Sequence, residues 1–134
     1  MAPKTDRIPL LTSEDIVNVR QMVRSIAVEL GFSLVDQTKF VTAASEIARN
    51  TVIYGGGGWA SIEIIAREGR KGLRVTFEDQ GPGIADIDQA LKDGFTTGSG
   101  LGLGLGGAKR LVNDFNIESK PGLGTRITIA RWKS

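Results

Sequence analysis

Three stretches of this chain hold residues suited to a phosphorylated ligand. In "SEIARN", Glu46 and Asn50 stand four residues apart, so on a helix they lie about 40° from one another, on one face. A carboxylate there can take a proton from a hydroxyl nucleophile. An amide oxygen beside it can serve Mg²⁺, a hard cation that needs few protein ligands when phosphate oxygens complete its shell. The same pair also fits an ordinary solvated helix face, and Arg49 between them fits either a phosphate contact or a surface position. In "FEDQGPGI", Asp79 closes an apolar run and is followed by Gly81 and Gly83. Glycines allow a turn with positive φ or a close approach of backbone to a ligand, and a carboxylate at such a turn can accept from an exocyclic amine. Farther on, "GSGLGLGLGG" runs into a helical pattern, which would turn free amides and the positive end of a helix dipole toward an anion. A flexible loop has similar composition, yet it does not account for the alternation of Leu101, Leu103 and Leu105. The Gly-Lys-Ser/Thr ending of a P-loop is missing, as is the strand, helix, strand crossover of a dinucleotide fold.

These groups need elements to position them. "RIPLL" at 7–11 reads as a short strand that Pro9 confines to a sheet edge. Ile16, Val19, Val23, Ile26, Ala27 and Leu30 recur at helical spacing behind Thr12 or Ser13 as cap, and Gly31 ends that helix. A second helix is expected over 36–53, with Asp36 as cap and Phe40, Val41, Ala44, Ile47 and Ala48 as its apolar stripe; glycines 55–58 terminate it. "WASIEIIA" and "GLRVTFED" read as a hairpin joined by "REGRKG". A third helix is expected over about 106–114, then "FNIES", the turn "KPGLG" and the strand "TRITIARW". The order predicts an α/β (α+β) two-layer sandwich, a mixed and mostly antiparallel sheet with its helices on one face.

Composition removes several classes of function. The chain has 134 residues, enough for one domain with a core and without internal repeat or linker, and residues 1–134 are read as that single domain. With no cysteine and no histidine there is no disulfide, thiolate metal site, imidazole base or phosphohistidine acceptor. The net charge is +2 and the cations are scattered among acids, so nucleic acid is not an expected partner. The N-terminal "MAPKTDRIPLLTSED" lacks a signal-peptide core and no apolar run approaches 18 residues. A cytoplasmic protein with no membrane partner is expected.

"EIARN", "DQGPGI", "GLGLGLGG" and "GLGT" at 122–125 together resemble, in order and spacing, the nucleotide-binding boxes of the GHKL superfamily, the Bergerat fold of gyrase, Hsp90, MutL and histidine kinases. The resemblance covers almost the whole chain. Within the superfamily, "ELGFSLVDQTKFVTAASEIARN", "GLRVTFEDQGPGI" and "DGFTTGSGLGLGL" are most similar to the RsbT-type serine/threonine switch kinases of the bacterial stressosome, relatives of the anti-sigma factor kinases. The resemblance implies ATP and Mg²⁺ as cofactors. It makes Asp79 the adenine-reading carboxylate, assisted by Thr125, with Gly81 and Gly83 in the turn that follows. Asn50 becomes the Mg²⁺ ligand, Glu46 the general base, and Gly102, Gly104 and Gly106 part of a phosphate-contacting lid. A histidine autokinase would need an acceptor histidine, and the gyrase, Hsp90 and MutL architectures need further domains that 134 residues cannot hold. The expected activity is transfer of the ATP γ-phosphoryl group to a serine or threonine of a partner protein; the resemblance implies STAS-domain scaffold or antagonist proteins as substrates, and binding and activation of a PP2C-type phosphatase on release from the scaffold. The alternative is an anti-sigma factor that holds a sigma factor in an ATP-dependent manner. The oligomeric state is left open, because exposed apolar residues on a helix could serve a dimer or another partner.

Overall fold

A computed structural model describes residues 7–84, 91 and 105–133. Among these the chain forms β1 (Ile8–Leu10), α1 (Ser13–Glu29), α2 (Leu34–Ile53), β2 (Gly58–Arg67), β3 (Arg70–Asp79), α3 (Leu105–Arg110), β4 (Asp114–Ser119) and β5 (Thr125–Trp132). The sheet order is β1-β2-β3-β5-β4, with every neighbouring pair antiparallel. The strands described thus make an antiparallel sheet rather than a mixed one, and β1 is an edge strand, as its proline requires.

Thr12 caps α1 through a reciprocal box. Its hydroxyl accepts from the Asp15 N–H at 3.2 Å, and the Asp15 carboxylate accepts from the Thr12 N–H at 3.1 Å. This arrangement satisfies donors that the first turn leaves orphaned. Val19, Val23 and Ala27 then recur every four residues and are buried, and Gly31 at φ 84° reverses the chain. The second helix starts earlier than its sequence pattern suggests. Ser33 is the cap, its hydroxyl accepting from the Asp36 N–H at 3.1 Å, which moves Asp36 inside the first turn. There its carboxylate takes the Arg131 guanidinium of β5 at 2.7 Å, with the two side chains only 11% and 14% exposed. A second nitrogen of Arg131 donates to the Leu111 carbonyl at 2.8 Å. One buried ion pair therefore joins α2, β5 and the segment after α3.

The third helix ends four residues before its expected limit. The Asn113 N–H donates to the Ala130 carbonyl at 2.9 Å, the Asn113 side-chain oxygen accepts from the Trp132 N–H at 2.7 Å, and β4 begins at Asp114. Pairing with β5 has claimed residues that local pattern assigned to the helix.

Alternation along the strands separates the two faces of the sheet. Ala60, Ile62, Leu73, Val75, Phe77, Ile127 and Ile129 are buried against the helices together with Phe40, Ala44 and Ile47 of α2. The opposite face carries the Glu63–Arg74 pair, with bonds of 3.0 and 3.1 Å, and the Thr76–Thr128 contact. No helix among the described residues is long and apolar enough to cross a membrane.

Candidate nucleotide site

Following the inward register of β3 from Leu73 through Val75 and Phe77, the next residue on the apolar face is Asp79. The strand ends at that point, so a carboxylate stands where the core opens. Asp79 lies opposite Thr125 of β5 and Gly58 of β2. The Gly81 N–H donates to its Oδ1 at 2.9 Å. Burial nevertheless outweighs this bond and a second one from the Thr125 backbone N–H, so the Asp79 carboxyl is held above its ordinary pKa.

One glycine leaves room for this carboxylate and a second lets the neighbouring turns pack. Gly55 follows the Tyr54 cap of α2, and a Cβ there would overlap the Asp79 carboxyl group. Gly83 has φ 76°, and a Cβ on it would strike the Lys120 carbonyl, because the turn after β3 lies against the turn between β4 and β5. The Gly122 N–H closes that contact by donating to the Pro82 carbonyl at 2.7 Å. The sequence needs glycine at both positions because backbone and carboxylate occupy the space of a side chain.

One pocket brings together Asn50 of α2, Tyr54 at its C-terminal cap, Asp79, Gly83, Thr125 and an apolar floor of Ile84, Leu105 and Ile127. The lining has the chemistry to suit a flat heteroaromatic ring, with the carboxylate and Thr125 as its polar members, and the cavity, about 30 Å³, must widen to admit one. Asn50 faces this pocket because it borders the buried stripe, three residues past Ile47 and one before Thr51. Of the other residues singled out from sequence, Gly81 belongs to the site through its bond to Asp79, and Gly106 is buried in α3 beside Leu105. Gly102 and Gly104 lie outside the described residues.

Glu46 is not in this pocket. It is half-buried one turn earlier, about 6 Å along the α2 axis, in a surface depression shared with Arg20 and Arg24 of α1. Arg49 is exposed. No group of three or more His, Cys, Asp or Glu among the described residues could hold a metal ion.

Sequence reasoning missed several members of the site. Gly55 reads only as a helix end, although a four-glycine run following "EIARN" is more than a stop needs. Tyr54 carries no signal of its own, and Ile84 and Leu105 read only as members of their glycine-containing boxes, with nothing to mark them as the floor of a pocket. Ser119, which bonds to Thr125 at 2.8 Å, reads only as the end of "FNIES", ahead of the turn.

Comparison with known proteins points the same way. Residues 35–133 match the family described as histidine kinase-, DNA gyrase B-, and HSP90-like ATPase. The serine/threonine-protein kinase RsbT of Bacillus subtilis (strain 168) is 49% identical over 125 residues, covering 93% of this chain and 94% of that one. An anti-sigma F factor of Thermoanaerobacter sp. (strain X514) is 29% identical over 84% of this chain and 82% of its own length. A crystal structure of the RsbU and RsbW domains of a Mycobacterium tuberculosis protein superposes with a TM-score of 0.64 at 21% identity. It covers 98% of this chain, which spans 33% of that longer one, and the likeness concerns the fold. With 99 consecutive residues inside the family match and near full-length identity to a kinase, the chain belongs to the histidine kinase-, DNA gyrase B- and HSP90-like ATPases, as a serine/threonine-protein kinase of the RsbT type.

Proposed function

We propose that this chain, read as a single ATP-binding kinase domain, transfers the γ-phosphoryl group of ATP to a serine or threonine of a STAS-domain partner in a bacterial stress-response partner switch. The observation that carries this reading is the pocket itself. The Asp79 carboxylate and the Asn50 amide line one pocket with an apolar floor, in a chain of the kinase family. Asp79 and Thr125 would hold the amino edge of adenine. Asn50 would hold Mg²⁺, which supplies charge neutralisation to the transferring phosphoryl group. Glu46 would take the proton of the attacking hydroxyl as the new O–P bond forms and ADP leaves. Gly102, Gly104 and Gly106 would close over the phosphates. Because Glu46 lies a turn from the nucleotide pocket, beside Arg20 and Arg24, the acceptor would approach along the α1 flank of α2. Released from its scaffold, the kinase would bind and activate a PP2C-type phosphatase, all within the cytoplasm.

A second reading, an anti-sigma factor that uses ATP to choose partners, is favoured by the likeness to the anti-sigma F factors. Incubation with γ-labelled ATP and either a STAS-domain protein or a sigma factor separates the two. Label on the STAS protein is the expected result. Stable sigma binding with no label transferred would reverse the order.

A further inference from the structure

We propose that Ser119, which does not line the nucleotide pocket, is a positioning residue that makes the pocket select a base bearing an amino group. The inference rests on the reading of Asp79 and Thr125 as the base-contacting end. Ser119 is the last residue of β4 and lies opposite Thr125 in the register. Its hydroxyl joins three segments of the site. The Ile84 N–H donates to Ser119 Oγ at 2.8 Å, Ser119 Oγ donates to the Gly124 carbonyl at 2.9 Å, and Thr125 Oγ1 lies 2.8 Å away.

A serine hydroxyl has one proton and two lone pairs. The Gly124 carbonyl can only accept, so it takes the Ser119 proton, and the Ile84 N–H takes one lone pair. The remaining contact is then a hydrogen bond only if Thr125 Oγ1–H donates to the second lone pair of Ser119. No other assignment satisfies all three contacts. The proton of Thr125 is thereby turned away from the pocket and its lone pairs are left for a ligand. Beside it the ionised Asp79 carboxylate also only accepts. The base end is consequently a wall of acceptors, suited to the two hydrogens of an exocyclic amine. A carbonyl in the same place would meet lone pairs on both sides. The discrimination comes from the hydrogen-bond direction that Ser119 imposes, without any contact between Ser119 and the base.

The test compares ATP with inosine triphosphate, which carries a carbonyl where ATP has its amine, by calorimetric titration of the whole chain in the presence of Mg²⁺. The wild type is expected to prefer ATP. In Ser119→Ala the Thr125 hydroxyl is free to rotate and donate, so the ratio of affinities falls by about 3- to 10-fold, the range of one neutral hydrogen bond. Thr125→Val lowers the ratio similarly, and adding Ser119→Ala to it changes the ratio no further. A loss of selectivity that depends on the Thr125 hydroxyl is something a merely structural serine would not produce. Should Ser119→Ala fail to fold, Thr125→Val against Thr125→Ser decides, the second keeping both hydroxyl and ratio. An unchanged ratio in Ser119→Ala or Thr125→Val, or an equal fall when Ser119→Ala is made in the Thr125→Val background, overturns the inference alone. A wild-type chain that binds neither nucleotide overturns the reading of the pocket, and the inference with it.

Discussion

Replacing Asp79 by asparagine separates recognition of the base from stability of the fold, because the two are expected to move in different directions. Asparagine keeps the size of the side chain and one carbonyl oxygen, which can still accept from the Gly81 N–H at the 2.9 Å position of Oδ1. The second oxygen becomes an NH₂ group, and a donor then faces the amine of the base. A hydrogen bond to a charged acceptor contributes about 1.5 to 3 kcal/mol, so ATP affinity should fall by about 10- to 150-fold. Stability responds otherwise. Burial raises the Asp79 pKa in the folded chain above 3.8. Folding therefore favours the protonated form, and the ionised form carries a destabilisation. It is absent below the unfolded pKa, grows as pH rises, and is complete above the folded pKa. An uncharged asparagine removes that cost at pH 7, and the melting temperature should be unchanged or higher. The assay is nucleotide titration beside thermal unfolding. In the wild type ATP affinity should also fall as pH drops through the raised Asp79 pKa, a dependence the variant lacks; protonation of the base itself is common to both proteins and cancels in their ratio. Full ATP affinity in a folded Asp79→Asn chain would refute the assignment of the base end. A lower melting temperature at pH 7 would refute the account of its burial.

Glu46→Gln keeps size and polarity but loses the proton acceptor, so Mg²⁺-ATP should still bind while phosphoryl transfer to a STAS partner falls by roughly 10²- to 10⁴-fold; near wild-type transfer would return Glu46 to an ordinary helix face. Asn50→Ala should reduce both transfer and the Mg²⁺-dependent part of ATP affinity, read from titrations with and without the metal, and an affinity gain from Mg²⁺ equal to that of the wild type would remove Asn50 from the metal site. Asp36→Ala leaves the Arg131 guanidinium buried without its partner at 2.7 Å and should cost about 3 kcal/mol, near 10 °C of melting temperature for a domain of this size. The doubly apolar Asp36→Leu, Arg131→Met chain should recover most of that loss, and a single variant as stable as the wild type would contradict the burial of the pair.

A residue's place is legible in the sequence where its reason for being there is local. The cap at Thr12, the Val19, Val23 and Ala27 stripe, the edge strand with Pro9 and the β2–β3 hairpin all follow from short-range rules, and each lies where its pattern put it. Two boundaries moved because partners distant in sequence won. Asp36 has the composition of a cap, but it answers to Arg131, 95 residues away, and leaves capping to Ser33. Asn113 and Asp114 continue a helical pattern, yet β5 recruits them to the sheet edge.

The site divides in the same way. Asp79, Gly83 and the other boxed glycines were visible because close backbone approach admits few residue types, so the type itself carries the information. Gly55 reads as a helix end, since nothing local says that the Asp79 carboxyl will fill its missing side chain. The division has a mechanical consequence. The groups that would meet the base come from three segments, 79–84, 105 and 125–127, with α2 closing the fourth side. The β3–β5 pairing sets Asp79 beside Thr125, and Ser119, together with the Gly122 to Pro82 backbone bond, ties the turn that follows Asp79 to the β4–β5 end. Residues that touch a ligand can be read from their chemistry. Those that hold them at the right angle are ordinary in type and become apparent only from the contacts they make.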